Sequence, residues 1–301
     1  MSNNLQQETT PLISVIMPVF NSATFLSEAI ESVLGQTFRD FELLIVYDES
    51  SDESLEIIEH FQQVDSRVQL IYGEGKTLIG ALNKGLNIAR GQFVARMDAD
   101  DISLPERFDR QVNLMESEGA DICGCHFIVI GQSGLPINAK ITPLSRSAFI
   151  VYLGYTVPFA HGSVIMRTAF VKKHSLKYGG VVSSEDYDLW IKFFENNAVF
   201  ANVDEFLFKY RDTSTSLSKR LHGKMVADAK LLRKGFLLRN RDTFLDAVNE
   251  LIIRYETLSL DERKFLLIAS YVASLTLRTS IFFTVLRHHL RKVGWKIILL
   301  T

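Results

Sequence analysis

The stretch Phe93–Pro105, FVARMDADDISLP, decides how this chain is read. Phe93 to Met97 is predicted as a short buried strand, five residues without a turn former, entered after Gly91. Three carboxylates follow in four positions, Asp98, Asp100 and Asp101. Ser103-Leu-Pro-Glu106 has the spacing of a capping box with proline just inside the helix start. A helix is therefore expected to open there with its own cap and no need of Asp98 or Asp100. Acids crowded at a strand end repel one another unless a positive charge sits between them. Mg or Mn carrying a diphosphate would supply it, since both prefer carboxylate oxygens and keep ligand positions for phosphate. An acidic, solvated loop is the ordinary alternative.

Before this stretch the apolar pattern alternates between short runs and amphipathic segments. Strands are predicted at Ile13 to Val19, Phe41 to Tyr47 and Val68 to Tyr72. The second is apolar apart from Glu42, as a parallel strand buried on both faces should be. Between them lie a helix with Leu26, Ile30, Val33 and Leu34 on one stripe, closed at Gly35, and one with Leu55, Ile58 and Phe61. Ser50-Ser-Asp-Glu53 is expected to cap the latter. Leu78 to Arg90 is a third helix, stopped by Gly91. The order predicts a doubly wound, mostly parallel sheet, whose ligands bind beyond the carboxyl ends of the strands. Pro18, Asp48 and Asp98 all lie at those ends.

Two motifs are set aside. Gly73-Glu-Gly-Lys-Thr77 resembles the tail of a phosphate-binding P-loop, but Leu70 stands where its first glycine belongs. Pro18 to Asn21 contains no glycine, so the dinucleotide fingerprint is missing. A P-loop kinase and a nicotinamide dehydrogenase are both disfavoured. Lys76 remains a cation that could meet a ligand, though a solvated lysine is the commoner outcome.

At 301 residues and 47% apolar, the chain can bury one large α/β domain with an appendage, and general disorder is excluded. Cys123 and Cys125 are too few for a zinc site and share one face of a predicted strand, so they are read as core. The N-terminal MSNNLQQETTPL lacks the basic and apolar regions of a signal peptide, so a cytoplasmic body is expected. Charge divides the chain near Arg220. Residues 1–219 hold 18 Lys and Arg against 28 Asp and Glu; residues 220–301 hold 15 against 7, with no acid after Glu262.

The segments SVIMPVFN (14–21), AIESVLGQTFRDFELLIV (29–46), DESSDES (48–54), ALNKGLNIARGQFVARMDADD (81–101) and SEDYDLW (184–190) together resemble glycosyltransferase family 2. The resemblance covers about residues 11–218. It implies the GT-A fold and an inverting transfer from a nucleotide-sugar, most often a UDP-sugar. By the same resemblance Asp48 matches the acid that reads the base, and Asp98 and Asp100 the Asp-X-Asp pair that binds ribose, diphosphate and a divalent Mn or Mg. Asp186 matches the catalytic base. Pro18, Phe20, Asp48, Lys76 and Asp98 make the expected donor side, and Asp98 and Asp100 the metal pair. The chain departs from the family at Tyr47, where a second acid is usual, at Glu49, where glycine is, and at Thr213, where histidine is frequent.

The expected organisation is a GT-A domain over 11–219, with a nucleotide-sugar half (11–101) and an acceptor half (102–219), followed by a basic, helical region over 220–301. In the acceptor half, Ala120 to Ile130 is a strand, Gly131 to Gly134 a turn, and Phe159-Ala-His-Gly162 leads into a strand ending at Arg167. Glu185 to Asn196 is an amphipathic helix with Asp186 in its first turn, where the helix dipole favours a carboxylate. His161, Glu185 and Trp190 are the acceptor-side candidates; a hydrogen-bonded structural histidine and a core tryptophan are their ordinary alternatives. In the tail, Phe265 to Leu277 is apolar for only 13 residues, too short to span a bilayer. Residues 264–301 are expected instead to lie on an anionic membrane surface, at the inner face of the cell membrane, or to pack as a bundle or homodimer. The implied function is transfer of a sugar to a glycan or lipid-linked acceptor in assembly of a cell-surface polysaccharide. No nucleic-acid partner is expected. A sugar nucleotidyltransferase would need a glycine-rich loop after the first strand. A non-enzymatic nucleotide-sugar-binding or scaffold protein would not need Asp186, and a membrane-surface adaptor would rest on the tail alone.

Overall fold

The computed structural model describes residues 10–75, 77–181, 183–213, 219 and 221–293, the last three of these by backbone only. Lys76, Ser214 to Ser218 and the tail from Gly294, Trp295 included, lie outside the described residues. Two compact units emerge. One joins the chain up to Thr142 with Phe159–Gly179 and Asn196–Ser214; the other joins Pro143–Pro158, Gly180–Glu195 and the chain from Thr215. Two short segments of the predicted acceptor half thus group with the C-terminal helices.

The first unit is built on one nine-stranded sheet. Its leading half is β1 (Ile13–Val19), β2 (Phe41–Tyr47), β3 (Val68–Tyr72) and β4 (Phe93–Arg96), all parallel and ordered β3-β2-β1-β4. Helices α1 (Ala23–Leu34), α2 (Ser54–Val64) and α3 (Leu78–Ile88) are the crossovers. Every residue of β2 is buried, Glu42 included. That acid is satisfied in place: it accepts from Ser14 Oγ (2.6 Å), Gln69 Nε2 (3.1 Å) and Arg90 Nη2 (2.8 Å). Burial opposes its charge, but the Ser14 and Arg90 hydrogen bonds outweigh it and hold the carboxyl below its usual range. Gly91 must be glycine here, because a Cβ would stand 2.6 Å from the Ser14 nitrogen.

After β4 the sheet changes character. The two-residue β5 (Ile102–Ser103) pairs antiparallel with the far strand β9 (Phe200–Arg211), and α4 (Arg107–Glu118) follows. β6 (Ile122–Ile130) turns at Gly134 (φ 79°) into the exposed hairpin strand β7 (Pro136–Lys140). Then come α5 (Arg146–Leu153), a 3-10 turn at His161–Ser163, β8 (Ile165–Arg167) and α6 (Thr168–Lys173). β8 lies antiparallel between β4 and β6, while β6 and β9 run parallel. Cys123 and Cys125 are free and buried in β6, as core residues should be.

Both predicted capping boxes are corrected. Ser103 is drawn into β5, and its hydroxyl accepts from Gln36 Nε2 (3.0 Å). The start of α4 is capped from a distance of 72 residues, Gln36 Oε1 accepting the Phe108 N–H (3.1 Å). At α2 the capping oxygen belongs to Asp52, which takes the N–H groups of Ser54 (3.2 Å) and Ala23 (2.9 Å). Tertiary partners compete for these side chains, and local spacing cannot register them.

The second unit is helical: α5, α7 (Glu185–Glu195), α8 (His222–Arg239), α9 (Arg241–Ile253), α10 (Leu260–Leu277) and α11 (Ile281–Val293). Tyr187 donates to the Leu153 carbonyl and Ser147 to Glu250, tying α5 to α7 and to α9. Gly154 admits the Phe244 ring, which would lie 2.2 Å from a Cβ there. Ser259 and Glu262 form a reciprocal capping box at the start of α10. No helix among the described residues is long and apolar enough to cross a membrane.

Candidate functional site

The parallel half brings the sequence-predicted donor residues to the carboxyl ends of β1, β2 and β4. Pro18 is the penultimate residue of β1, and Phe20 just beyond the strand is half exposed. Asp48 follows β2 and is buried, its N–H bonded to the Val19 carbonyl (2.9 Å). Its carboxylate lies over Gly73, where a Cβ would come within 2.1 Å of Oδ1. The loops after β1 and β2 are stitched together. Asn21, in the left-handed region at φ 48°, accepts from the Ser51 N–H (2.8 Å) and donates its own N–H to Ser50 Oγ (2.9 Å). Tyr47, the departure from the family pattern, uses its hydroxyl to accept the Ser50 N–H (3.0 Å).

The acids after β4 are held by arginines. Arg96 is 1% exposed and donates to Asp98 Oδ1 (2.5 Å) and to the Met97 carbonyl. Burial opposes the guanidinium charge; Asp98 outweighs that and raises its pKa. Arg211, at the end of β9, donates its backbone N–H to Asp101 Oδ1 (2.7 Å), Nε to the Asp100 carbonyl (2.7 Å) and Nη2 to Glu28 (2.5 Å). Arg107, fully buried, binds the carbonyls of Gly162 (2.7 Å) and Arg96 (3.3 Å), and burial pulls its pKa down to about 10. The loop is thus fixed from below by three cations.

That scaffold leaves the acids short of charge compensation. Burial first, and the neighbouring Asp98 second, push Asp100 up to about 6. The same two causes, with Asp100 third, push Asp101 well above the carboxylate range. Asp101 Oδ2 is buried without a hydrogen-bond partner. Asp98 Oδ2 and Asp101 Oδ2 converge on Gly162, each 2.9 Å from where its Cβ would be. Groups held in such a repulsive arrangement cluster at functional sites. Among the described residues no set of three or more His, Cys, Asp and Glu side chains is arranged around a metal position. A cation at Asp98 and Asp100 would therefore need further oxygens, such as those of a diphosphate.

His161, beside Gly162, shares a hydrogen bond between Nε2 and the Tyr178 hydroxyl (3.1 Å). Desolvation first, then Arg96, drive its pKa well below normal, so the imidazole is neutral. Asn83 fixes Tyr178 by bonding both its N–H and its carbonyl (2.9 Å each).

Glu185, Asp186 and Trp190 belong to the second unit. Asp186 stands in the first turn of α7, half buried, with Oδ1 accepting the Tyr187 N–H (2.7 Å). Glu185 is buried beside it. Trp190 has no exposed surface and packs on Phe193, so it is corrected from an acceptor-facing ring to a core residue. Tyr187, Leu189, Ile191 and Phe193 of the same helix are buried as well.

Sequence reasoning missed Arg96, Arg211, Arg107, Gly162 and Gly73. Arg96 carried a signal, an arginine inside a buried strand two residues from an acid. Arg211 carried none, since it meets Asp100 and Asp101 from over 100 positions away.

A parallel sheet with acids at its carboxyl ends, extended by a partly antiparallel half, is the GT-A arrangement of nucleotide-sugar transferases. The model for Glycosyl transferase family 2 matches residues 14–174, more than half of the chain, which belongs to that family. An uncharacterized glycosyltransferase of Methanocaldococcus jannaschii is 37% identical over 212 residues, covering 67% of this chain and 71% of the relative. Two Escherichia coli proteins are also similar. The O-antigen biosynthesis glycosyltransferase WbnJ is 31% identical, covering 79% of this chain and 94% of its own. The UDP-Glc:alpha-D-GlcNAc-diphosphoundecaprenol beta-1,3-glucosyltransferase WfgD is 29% identical, covering 69% and 79%. Among solved structures, S. aureus TarS in complex with UDP superposes with a TM-score of 0.59 at 18% identity, over 89% of this chain and 82% of TarS. The mannosyltransferase PcManGT from Pyrobaculum calidifontis, in complex with GDP-Man and Mn2+, superposes at 0.56 and 14%, over 95% and 88%. Both likenesses establish the fold.

Proposed function

We propose that this glycosyltransferase moves a sugar from a UDP-sugar to a glycan or lipid-linked acceptor during assembly of a cell-surface polysaccharide, with inversion at the anomeric carbon. The observation that carries the reading is the acid cluster after β4, where Asp100 is pushed up to about 6 and Asp101 keeps an orphaned oxygen. Nothing in the fold needs that repulsion, and a cation with a diphosphate would relieve it. The acceptor class is supported by the activities named for WbnJ and WfgD, and the uridine by the UDP bound to TarS. The proposed place of action is the cytoplasmic face of the cell membrane.

In this reading Asp48 bonds the base, with Pro18 and Phe20 beside it. Asp98 and Asp100 offer the hard carboxylate oxygens that suit Mn or Mg, so the residues present fit such an ion. When bound with the donor, the ion neutralises charge gathering on the departing nucleoside diphosphate. Arg96 holds the Asp98 carboxylate in place through its hydrogen bond. The acceptor hydroxyl attacks from the face opposite the leaving group, and Asp186 takes its proton as the new bond forms. Its position at the amino end of α7 is one that the helix dipole makes favourable for a carboxylate. His161, neutral, and Glu185 are the proposed acceptor-side groups. The test is Asp186→Asn, which should lower turnover by about 100-fold or more while donor affinity, measured by calorimetry with Mn, stays put. An active variant would assign the base elsewhere.

A further inference from the structure

Helices α10 and α11 carry an apolar surface that their own unit does not cover. Ile268, Tyr271 and Leu275 recur at i, i+3 and i+7, so they share one side of α10, and they are 47%, 50% and 67% exposed. The buried side is made by Leu266, Ala269, Ser270 and Ala273. The surface continues onto α11. The Tyr271 ring meets Phe282 edge-on at 5.2 Å, Phe282 meets Phe283 at 5.5 Å, and Phe283 is 63% exposed. Cations flank the stripe: Lys264 one turn before Ile268, Arg278 one turn after Leu275, and Arg287 further along. From Lys264 to Thr301 the sequence holds six Lys and Arg and no acid.

We infer that this face docks on an anionic lipid bilayer. A helix lying in a membrane interface pairs an apolar face with basic flanks, and α10 is not apolar enough to do more than lie there. The competing occupant is a second copy of the chain. In a self-complementary contact through this stripe the sequence from Lys264 onward would offer Lys264, Arg278 and Arg287 no acid. Asp261 and Glu262 at the start of α10 would be left to offset three cations, with Glu262 already accepting from the Ser259 N–H. Acidic headgroups give each of these cations a partner, at about five-fold in binding per charge. Beyond the described residues, Trp295, Lys296 and Ile297 to Leu300 continue the same composition in sequence. The inference rests on the proposed function only for its purpose, which is to hold the transferase where a lipid-linked acceptor lies.

The test is sedimentation of the full chain with vesicles of phosphatidylglycerol in phosphatidylcholine, against phosphatidylcholine alone. Binding should require the anionic lipid and weaken with added salt. Ile268→Gln with Leu275→Gln should abolish it. Lys264→Gln with Arg278→Asn should reduce it about 30-fold, asparagine being tolerated at the left-handed backbone of residue 278 (φ 53°). All four side chains lie outside the unit's core, so unchanged circular dichroism and thermal melting are expected of both variants. Nucleotide release from a UDP-sugar in lipid-free buffer should be unchanged too. A chain that binds vesicles but releases no nucleotide from any donor would sink the proposed activity and leave docking intact. Docking itself is overturned if the chain ignores anionic vesicles at low salt. It is equally overturned if sedimentation equilibrium shows a dimer that Ile268→Gln with Leu275→Gln dissociates.

Discussion

Asp100→Asn should make the protein more stable and its transferase inactive. Asp100 titrates near 3.8 when unconstrained and near 6 in the folded chain, with burial as the first cause and Asp98 as the second. About two units at ~1.36 kcal/mol each set a ceiling of about 3 kcal/mol on the cost of keeping it ionised. Asp100 retains some contact with water, which screens its charge, so about 1 kcal/mol is the expected gain. The sign fixes the pH window. Between about pH 4 and pH 6 the folded state holds the proton more tightly than the unfolded chain, so wild-type stability falls as pH rises through that range. Asparagine does not titrate. Urea unfolding of the two proteins should therefore coincide below about pH 4 and diverge by about 1 kcal/mol above about pH 7, the variant being the more stable. Calorimetry with Mn and a UDP-sugar should show that the same variant has lost metal-dependent donor binding. The reasoning fails if the variant is no more stable at neutral pH, or if the gap widens on acidification.

Two glycine substitutions test the site from the side. Gly162→Ala places a methyl group 2.9 Å from Asp98 Oδ2 and Asp101 Oδ2, so metal-dependent turnover should drop by at least about ten-fold in steady-state assays. Full activity would show that the acids can move aside at no cost. Gly73→Ala meets Asp48 Oδ1 at 2.1 Å and should raise the donor Kd while leaving Mn dependence unchanged, which competition by free UDP would report.

The parallel half was legible because each of its elements is specified locally. Phe41 to Tyr47 is a continuous apolar run, and β2 has those limits; the stripe Leu26, Ile30 and Val33 is the buried side of α1. What failed was side-chain allegiance. Ser103 has the spacing of a capping residue, yet it serves a strand, because Gln36 and β9 reach it from distant parts of the chain. A one-dimensional pattern records which groups could bond locally and is silent about partners brought in by the fold. The mixing of two chain segments into the helical unit escaped notice for the same reason. The charge break near Arg220 marks composition, whereas Tyr187 and Ser147 join that unit through hydrogen bonds that composition does not encode.

The acid loop was the one part of the site whose sequence stated its own difficulty. Three carboxylates in four positions are costly wherever they are placed, and a helix start needs at most one of them. Burial makes the cost larger, and the fold meets it only in part. Arg96 answers one oxygen of Asp98, and Arg211 reaches Asp101 through a backbone N–H while giving its side chain to a carbonyl and to Glu28. Arg107, fully buried beneath the loop, is committed to carbonyl oxygens. Three arginines thus surround the loop, yet only one makes a direct ion pair with its acids. A scaffold selected for stability alone would have paired the remaining acids or replaced them by neutral residues. Under the proposed function, Asp100 and Asp101 are left under-compensated for a positive charge that would arrive with the substrate. The expected rise in stability of Asp100→Asn and its expected loss of donor binding follow from that single arrangement, so neither should appear without the other.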